Sequence, residues 1–139
     1  PAGWYLLAGD ETGLPGIARI LEDLPTEAGG VALIEIADAA EEQVIAAPPE
    51  LQIRWLHRGA AAPGTTSLLV DTLRQVALPA DRGDVFAWIG AEYSAFRAMR
   101  GFLKAEVGIS ADRMIAFSHW RRGMSEADIV AAGIASVSA

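Results

Sequence analysis

The residues best suited to chemistry lie in the stretch Ala8-Gly9-Asp10-Glu11-Thr12-Gly13-Leu14-Pro15-Gly16-Ile17. It follows an apolar run, Trp4 to Leu7, and precedes an amphipathic one, Ile17 to Leu24. That order describes a strand, a tight glycine-containing turn and a helix opened by proline. Pro15 suits the first helical position, where its missing N–H has no partner to lose, and Thr12 or Gly13 then sits near the N-cap. Such a turn aims backbone N–H groups and the positive end of a helix dipole at one spot, which suits a phosphate. The chemistry on offer is binding, specifically of the pyrophosphate of a nicotinamide dinucleotide. The spacing departs from the G-x-G-x-x-G fingerprint, because Gly9, Gly13 and Gly16 stand four and three apart. The same residues also read as an ordinary strand-to-helix turn, with Asp10 and Glu11 complementing the helix dipole.

Further candidates stand at the ends of later apolar runs. Asp38, Glu41 and Glu42 follow the second run. In dinucleotide folds an acid there binds the ribose hydroxyls, whereas a 2′-phosphate calls for a nearby Arg. Asp38 is the better candidate, and Glu41 and Glu42 read as a solvated loop. An acid in an adenosine pocket favours NADH without excluding NADPH. In Trp55-Leu56-His57-Arg58-Gly59, His57 has the residue type of a general base, but no nucleophile or carboxylate partner is evident. Arg58, at a strand's carboxyl end, suits a phosphate or another anion, or equally a surface salt bridge. Glu92, after Trp88-Ile89-Gly90-Ala91, caps a helix by default and is also placed to contact a nicotinamide amide or ribose. Ser118-His119-Trp120-Arg121-Arg122-Gly123 ends the last apolar run. Trp120 suits stacking on a flavin or nicotinamide ring, or covering the sheet's edge. Arg121 and Arg122 attract an anionic substrate locally, or are solvated cations.

The composition bounds what these residues can belong to. The chain has 139 residues, enough for one domain with a real core. Hydrophobic residues make up 52% and charged residues 21%, so it folds. A net charge of −7 argues against nonspecific nucleic-acid binding and against attraction to an anionic membrane. No apolar run reaches the length of a membrane span, and no basic start precedes an apolar signal core. Without cysteine there is neither a disulfide framework nor a thiolate metal site, and with His57 and His119 alone no metal site is expected. A soluble cytoplasmic protein is the expectation. The chain begins at Pro1 and is in a core strand by Trp4, as a domain cut from a larger protein or a processed chain would be.

The elements that must position the candidates alternate. Strand one is Gly3 to Ala8, strand two Gly30 to Ala37, strand three Leu51 to Leu56, strand four Val85 to Ile89 and strand five Arg113 to Ser118. Their nearly continuous apolar character fits strands covered on both faces. Between them, a first helix carries Leu14, Ile17, Leu21 and Leu24 and ends at Pro25. A second, capped by Thr65 or Thr66, carries Leu69, Leu73, Val76 and Ala77. A third follows a turn at Gly90-Ala91-Glu92, carries Phe96, Met99 and Leu103 and closes at Gly108. Beyond Arg121 the tail has a capping pattern at Ser125 and Asp128 before a weak apolar helix. Alternation of strands with helices of crossover length predicts right-handed connections and a parallel sheet. The expected fold is α/β: a three-layer, doubly wound, five-stranded parallel sheet in the order 3-2-1-4-5. Ligands then bind outside the carboxyl ends of the strands where the order reverses.

Taken together, Gly9 to Ile17, Trp55 to Gly59, Trp88 to Glu92 and Trp120-Arg121-Arg122-Gly123, in this order and spacing, resemble the C-terminal NAD(P)H-binding domain of siderophore-interacting proteins, the bacterial ferric-siderophore reductases. The resemblance covers essentially the whole chain. It implies a single ferredoxin-reductase-like nucleotide domain over residues 1–139, with an N-terminal FAD-binding barrel elsewhere in the protein. It further implies hydride transfer from NAD(P)H to FAD and electron transfer to siderophore-bound Fe(III); Fe(II) is then held weakly by hard oxygen ligands and released. The implied coenzyme site is Gly9, Asp10, Glu11, Thr12, Gly13, Leu14 and Pro15, with Thr12, Gly13 and Leu14 as donors to the pyrophosphate. Asp38 and Arg58 would lie on the adenosine side, Glu92 on the nicotinamide side and Trp120 near the ring. Arg121 and Arg122 would draw the anionic ferric siderophore, and no residue acts as general acid or nucleophile. Two departures stand out: the family usually reads Ala-Gly-Glu where this chain has Gly90-Ala91-Glu92, and Tyr where it has His119. The alternative is a stand-alone nucleotide-binding or protein-interaction module of the same fold without catalysis. A receiver-like regulatory domain would need an Asp after strand three, where His57-Arg58-Gly59 stands.

Overall fold

Each of the five apolar runs forms a strand in the computed structural model, which describes residues 3–122. The strands are β1 (Trp4–Gly9), β2 (Gly29–Ile36), β3 (Leu51–His57), β4 (Val85–Glu92) and β5 (Met114–Trp120). They make one sheet in the order β3-β2-β1-β4-β5, and every neighbouring pair is parallel. This is the expected topology, with β1 at the centre and the order reversing between β1 and β4.

The helices are α1 (Leu14–Asp23), α2 (Leu68–Arg74) and α3 (Tyr93–Gly101), the last continuing as a π-helical segment, Phe102–Val107. Because successive strand residues point to opposite faces, β1 serves two cores. Leu6 and Ala8 meet the α2 and α3 side, with Leu69, Leu73, Phe96, Met99 and Leu103. Tyr5 and Leu7 meet α1 through Ile17 and Leu21. The fully buried leucines and isoleucines of these two layers each contribute on the order of 2 kcal/mol by removal from water. The helical run ends at Gly108, whose φ of +85° is open to glycine and whose N–H bonds Leu103 O at 2.9 Å.

Several boundaries differ from the expected ones. Gly90-Ala91-Glu92 is not a turn but the end of β4, paired with Gly9 on one side and with Phe117, Ser118 and Trp120 on the other. Pro15 is the second residue of α1 and Gly13 is its N-cap. α2 is capped at Ser67 and stops at Arg74, so Val76 packs on the core from beyond the helix. Ser125 and Asp128 lie outside the described residues.

Candidate functional site

At the carboxyl edge, the turn after β1 is pressed against β4. A Cβ on Gly9 would stand 2.6 Å from Gly90 O, and one on Gly13 only 2.1 Å from it. A Cβ on Gly16 would meet the Trp88 ring at 2.7 Å. The turn's glycines therefore allow α1 to sit directly on the β4 backbone. Gly13 itself has ordinary helical angles, φ −86° and ψ −16°.

Asp10 closes this turn from inside. It is buried, and its Oδ1 accepts the Thr12 amide at 2.9 Å and the Thr12 hydroxyl. Its Oδ2 accepts the Glu92 amide at 2.9 Å and the Trp120 indole N–H at 3.1 Å. Its carbonyl accepts the amides of Gly13 and Leu14 at 3.0 and 3.1 Å. The three amides expected to face a pyrophosphate are thus bonded to Asp10, in the manner of Asx turns and caps. Glu92, also buried, caps α3 by accepting the amides of Ser94 and Ala95, and its other oxygen accepts the Arg122 amide at 3.3 Å. The Trp120 ring lies against the loop at Gly64, where a Cβ would be 2.9 Å from the ring and 3.0 Å from Glu92 Cγ. Asp10, Thr12, Glu92 and Trp120 form one connected group.

A second group forms beside it. The Arg58 side chain is 5% exposed, ion-paired to Glu11, and 3.6 Å from Glu35, whose own side chain is 6% exposed. Thr66 donates its hydroxyl to Glu35 at 2.8 Å. Burial raises the Glu35 pKa, against the pull of the Thr66 bond and the Arg58 charge. The hydrogen bond to Glu11 raises that of Arg58, so the guanidinium stays charged. Among the described residues Arg58 Nε and Nη1 have no hydrogen-bond partner. Arg58 is an interior cation held by two acids, not a surface one. Glu35 escaped the sequence reading, although a lone carboxylate in the apolar run Val31–Ile36 was the available signal.

Between the start of α1 and a short 3-10 turn, Ala39–Glu41, lies a cleft of about 540 Å³. Glu11, Leu14, Pro15, Ile36, Glu41 and Glu42 line it. Asp38 does not; its exposed carboxylate accepts the Ala40 amide at 2.9 Å and caps the turn that presents Glu41. His57 does have a carboxylate partner, Glu42, at 2.7 Å. Arg121 and Arg122 are exposed, the former with its guanidinium 4.7 Å above the Tyr93 ring. Among the described residues no cluster of His, Asp and Glu is arranged to hold a metal, and no helix is long and apolar enough to cross a membrane.

Residues 2–123 match the sequence model for siderophore-interacting protein. The chain belongs to that family. It is 31% identical over 128 residues to the ferric vibriobactin reductase ViuB of Vibrio cholerae, a match covering 91% of this chain and 46% of that protein. Among solved structures it is similar to a siderophore utilization protein from T. fusca, at 45% identity and a TM-score of 0.84, covering 90% of this chain and 47% of the other. It is also similar to the siderophore-interacting protein SipS from Aeromonas hydrophila, at 27% identity and a TM-score of 0.83, covering 95% and 51%. The chain spans about half the length of these relatives.

In this siderophore-interacting protein the ferredoxin-reductase-like sheet brings the two departures from the resemblance together. A Cβ at Gly90 would stand 3.1 Å from His119 Nε2 and 2.7 Å from the Trp88 ring. The missing methyl at Gly90 and the imidazole at His119 are one local arrangement.

Proposed function

We propose that this chain binds a reduced nicotinamide dinucleotide, as the coenzyme domain of a flavin-dependent ferric-siderophore reductase. The observation that carries the reading is the cleft at the carboxyl ends of β1 and β2 in a chain of the siderophore-interacting family. Its residues fit an adenosine: Leu14, Pro15 and Ile36 offer an apolar wall for the base, and Glu11, Glu41 and Glu42 accept from ribose hydroxyls. The pyrophosphate would rest on the positive end of the α1 dipole, since the Gly13 and Leu14 amides are held by Asp10. Glu92 and Trp120 would lie on the nicotinamide side, at the point where the strand order reverses.

When bound, the coenzyme would supply hydride to a flavin for one-electron reduction of the siderophore's Fe(III). This chain's part is to bind, orient and exclude water; no side chain needs to act as nucleophile or general acid. Asp10 fixes the Trp120 ring and the Glu92 backbone. Arg121 and Arg122 give the rim a local positive charge toward an anionic ferric siderophore. The reading puts the reaction in the cytoplasm, where reduced nicotinamide coenzyme is made.

Calorimetric titration of the purified protein with NADH and with NADPH tests the reading, together with amide exchange across Leu14 to Ile17 and Ala39 to Gln43. Saturable binding with protection of both segments is expected. No heat and no protection with either nucleotide at millimolar concentration would overturn it.

A further inference from the structure

We propose that the cleft beside α1 selects a dinucleotide whose adenosine ribose carries free hydroxyls and turns away one bearing a 2′-phosphate, making the protein NADH-selective. This rests on the nucleotide reading above and adds the chemical class the site accepts.

Three carboxylates, those of Glu11, Glu41 and Glu42, line the cleft, and among the described residues no Lys or Arg does. Arg58, paired to the cleft's own Glu11, is withdrawn. Its side chain is 5% exposed and engaged by Glu11 and Glu35, so one positive charge faces two negative ones. Turning Arg58 into the cleft would break its bond to Glu11 and leave Glu35 buried with the Thr66 hydroxyl alone. Glu42 is held in place by His57 at 2.7 Å. A 2′-phosphate would bring further negative charge against these carboxylates beside the apolar wall of Leu14, Pro15 and Ile36, and like charges at that range repel. A pair of ribose hydroxyls instead donates to the carboxylates in charge-assisted hydrogen bonds. The readers are thus Glu41 and Glu42, presented by the turn that Asp38 caps.

The test is calorimetry on the purified protein with four probes: NADH and NADPH, and, for the adenosine end alone, 5′-AMP and 2′,5′-ADP. NADH is expected to bind tighter than NADPH by roughly tenfold or more, with the gap narrowing as salt is raised. The adenosine probes should rank the same way. The double variant Glu41→Arg/Glu42→Arg should close or invert the NADH-to-NADPH ratio, and the milder Glu42→Gln should narrow it. Circular dichroism checks that both variants fold, and both positions are exposed. Equal affinities, or tighter NADPH, overturn the selectivity and leave the nucleotide reading standing. A preference for NADH that neither variant alters overturns the assignment to Glu41 and Glu42. Absence of binding by every probe overturns selectivity and nucleotide reading together.

Discussion

The indole N–H of Trp120 donates to the Asp10 carboxylate at 3.1 Å, tying the end of the last strand to the end of the first across 110 residues of sequence. The same oxygen takes the Glu92 amide, so one buried carboxylate joins β1, β4 and β5. Asp10→Asn keeps the shape but turns an NH2 group toward groups that are themselves donors. Leaving buried donors unmatched predicts a loss of about 3 kcal/mol, read as a lower urea midpoint at unchanged m-value. A loss under about 0.5 kcal/mol, the scatter of an ordinary surface change, would show that Asp10 does not hold these strands together.

Gly13 and Gly101 should respond in opposite directions to the same substitution. At Gly13 a methyl group meets the Gly90 carbonyl at 2.1 Å, a backbone atom that cannot turn aside. Gly13→Ala should cost at least ~2 kcal/mol through overpacking. Gly101 ends α3 with none of the described residues within 4 Å of its Cβ position, and Gly101→Ala should stabilise by roughly 0.5–1 kcal/mol through helix propensity. Thermal melts of the two variants side by side decide it.

Glu35 sets a pH dependence. Burial raises its folded-state pKa above the ordinary 4.5, so the folded state holds this proton more tightly than the unfolded one. The contribution of Glu35 is therefore fully present below the unfolded pKa and is lost as pH rises through the folded one. Glu35→Gln removes the titration and leaves an acceptor for the Thr66 hydroxyl. Relative to this variant, the native protein should lose stability as pH rises above about 4.5. Denaturant titrations of both proteins at several pH values measure the difference, and parallel curves would contradict it.

Arg58→Met strips the cation from between Glu11 and Glu35 and leaves the latter buried with a hydroxyl for company. A loss of about 3 kcal/mol is expected at neutral pH, as for other broken buried pairs, shrinking in acid where Glu35 takes up a proton. Adding Glu35→Gln should recover part of the loss at neutral pH. Equilibrium unfolding of the single and double variants reports it.

What could be read from the chain, and what could not, divides along a physical line. The sheet order and the five strands were legible because apolar runs of strand length alternate with amphipathic ones, and that pattern is local. The glycines at 9, 13 and 16 were legible as a tight turn, but not that their missing side chains make room for Gly90 and Trp88, contacts set by tertiary packing. Arg58 reads from sequence as an anion binder or equally as a surface salt bridge, because its partners Glu11 and Glu35 lie on other strands or turns. Asp38 reads as the ribose acid by position; it caps the short turn whose Glu41 and Glu42 line the cleft, a contact its own side chain does not make. At the end of β4, Gly90-Ala91 has turn-like composition, whereas the chain there lies between Gly9 and Phe117 in the sheet.

The central place of β1 has a consequence for time as well as for shape. Of the five strands of this sheet β1 is made first, and it gains one neighbour early, when Gly29 to Ile34 has been made. Its other edge stays open until Val85 to Gly90 follows, and Asp10 waits longer still for Trp120. Closing such long intervals of chain is entropically slow. Sealing the sheet and finishing the rim at Asp10 are therefore one event, and in refolding the rim should gain amide protection with the slowest phase rather than ahead of it.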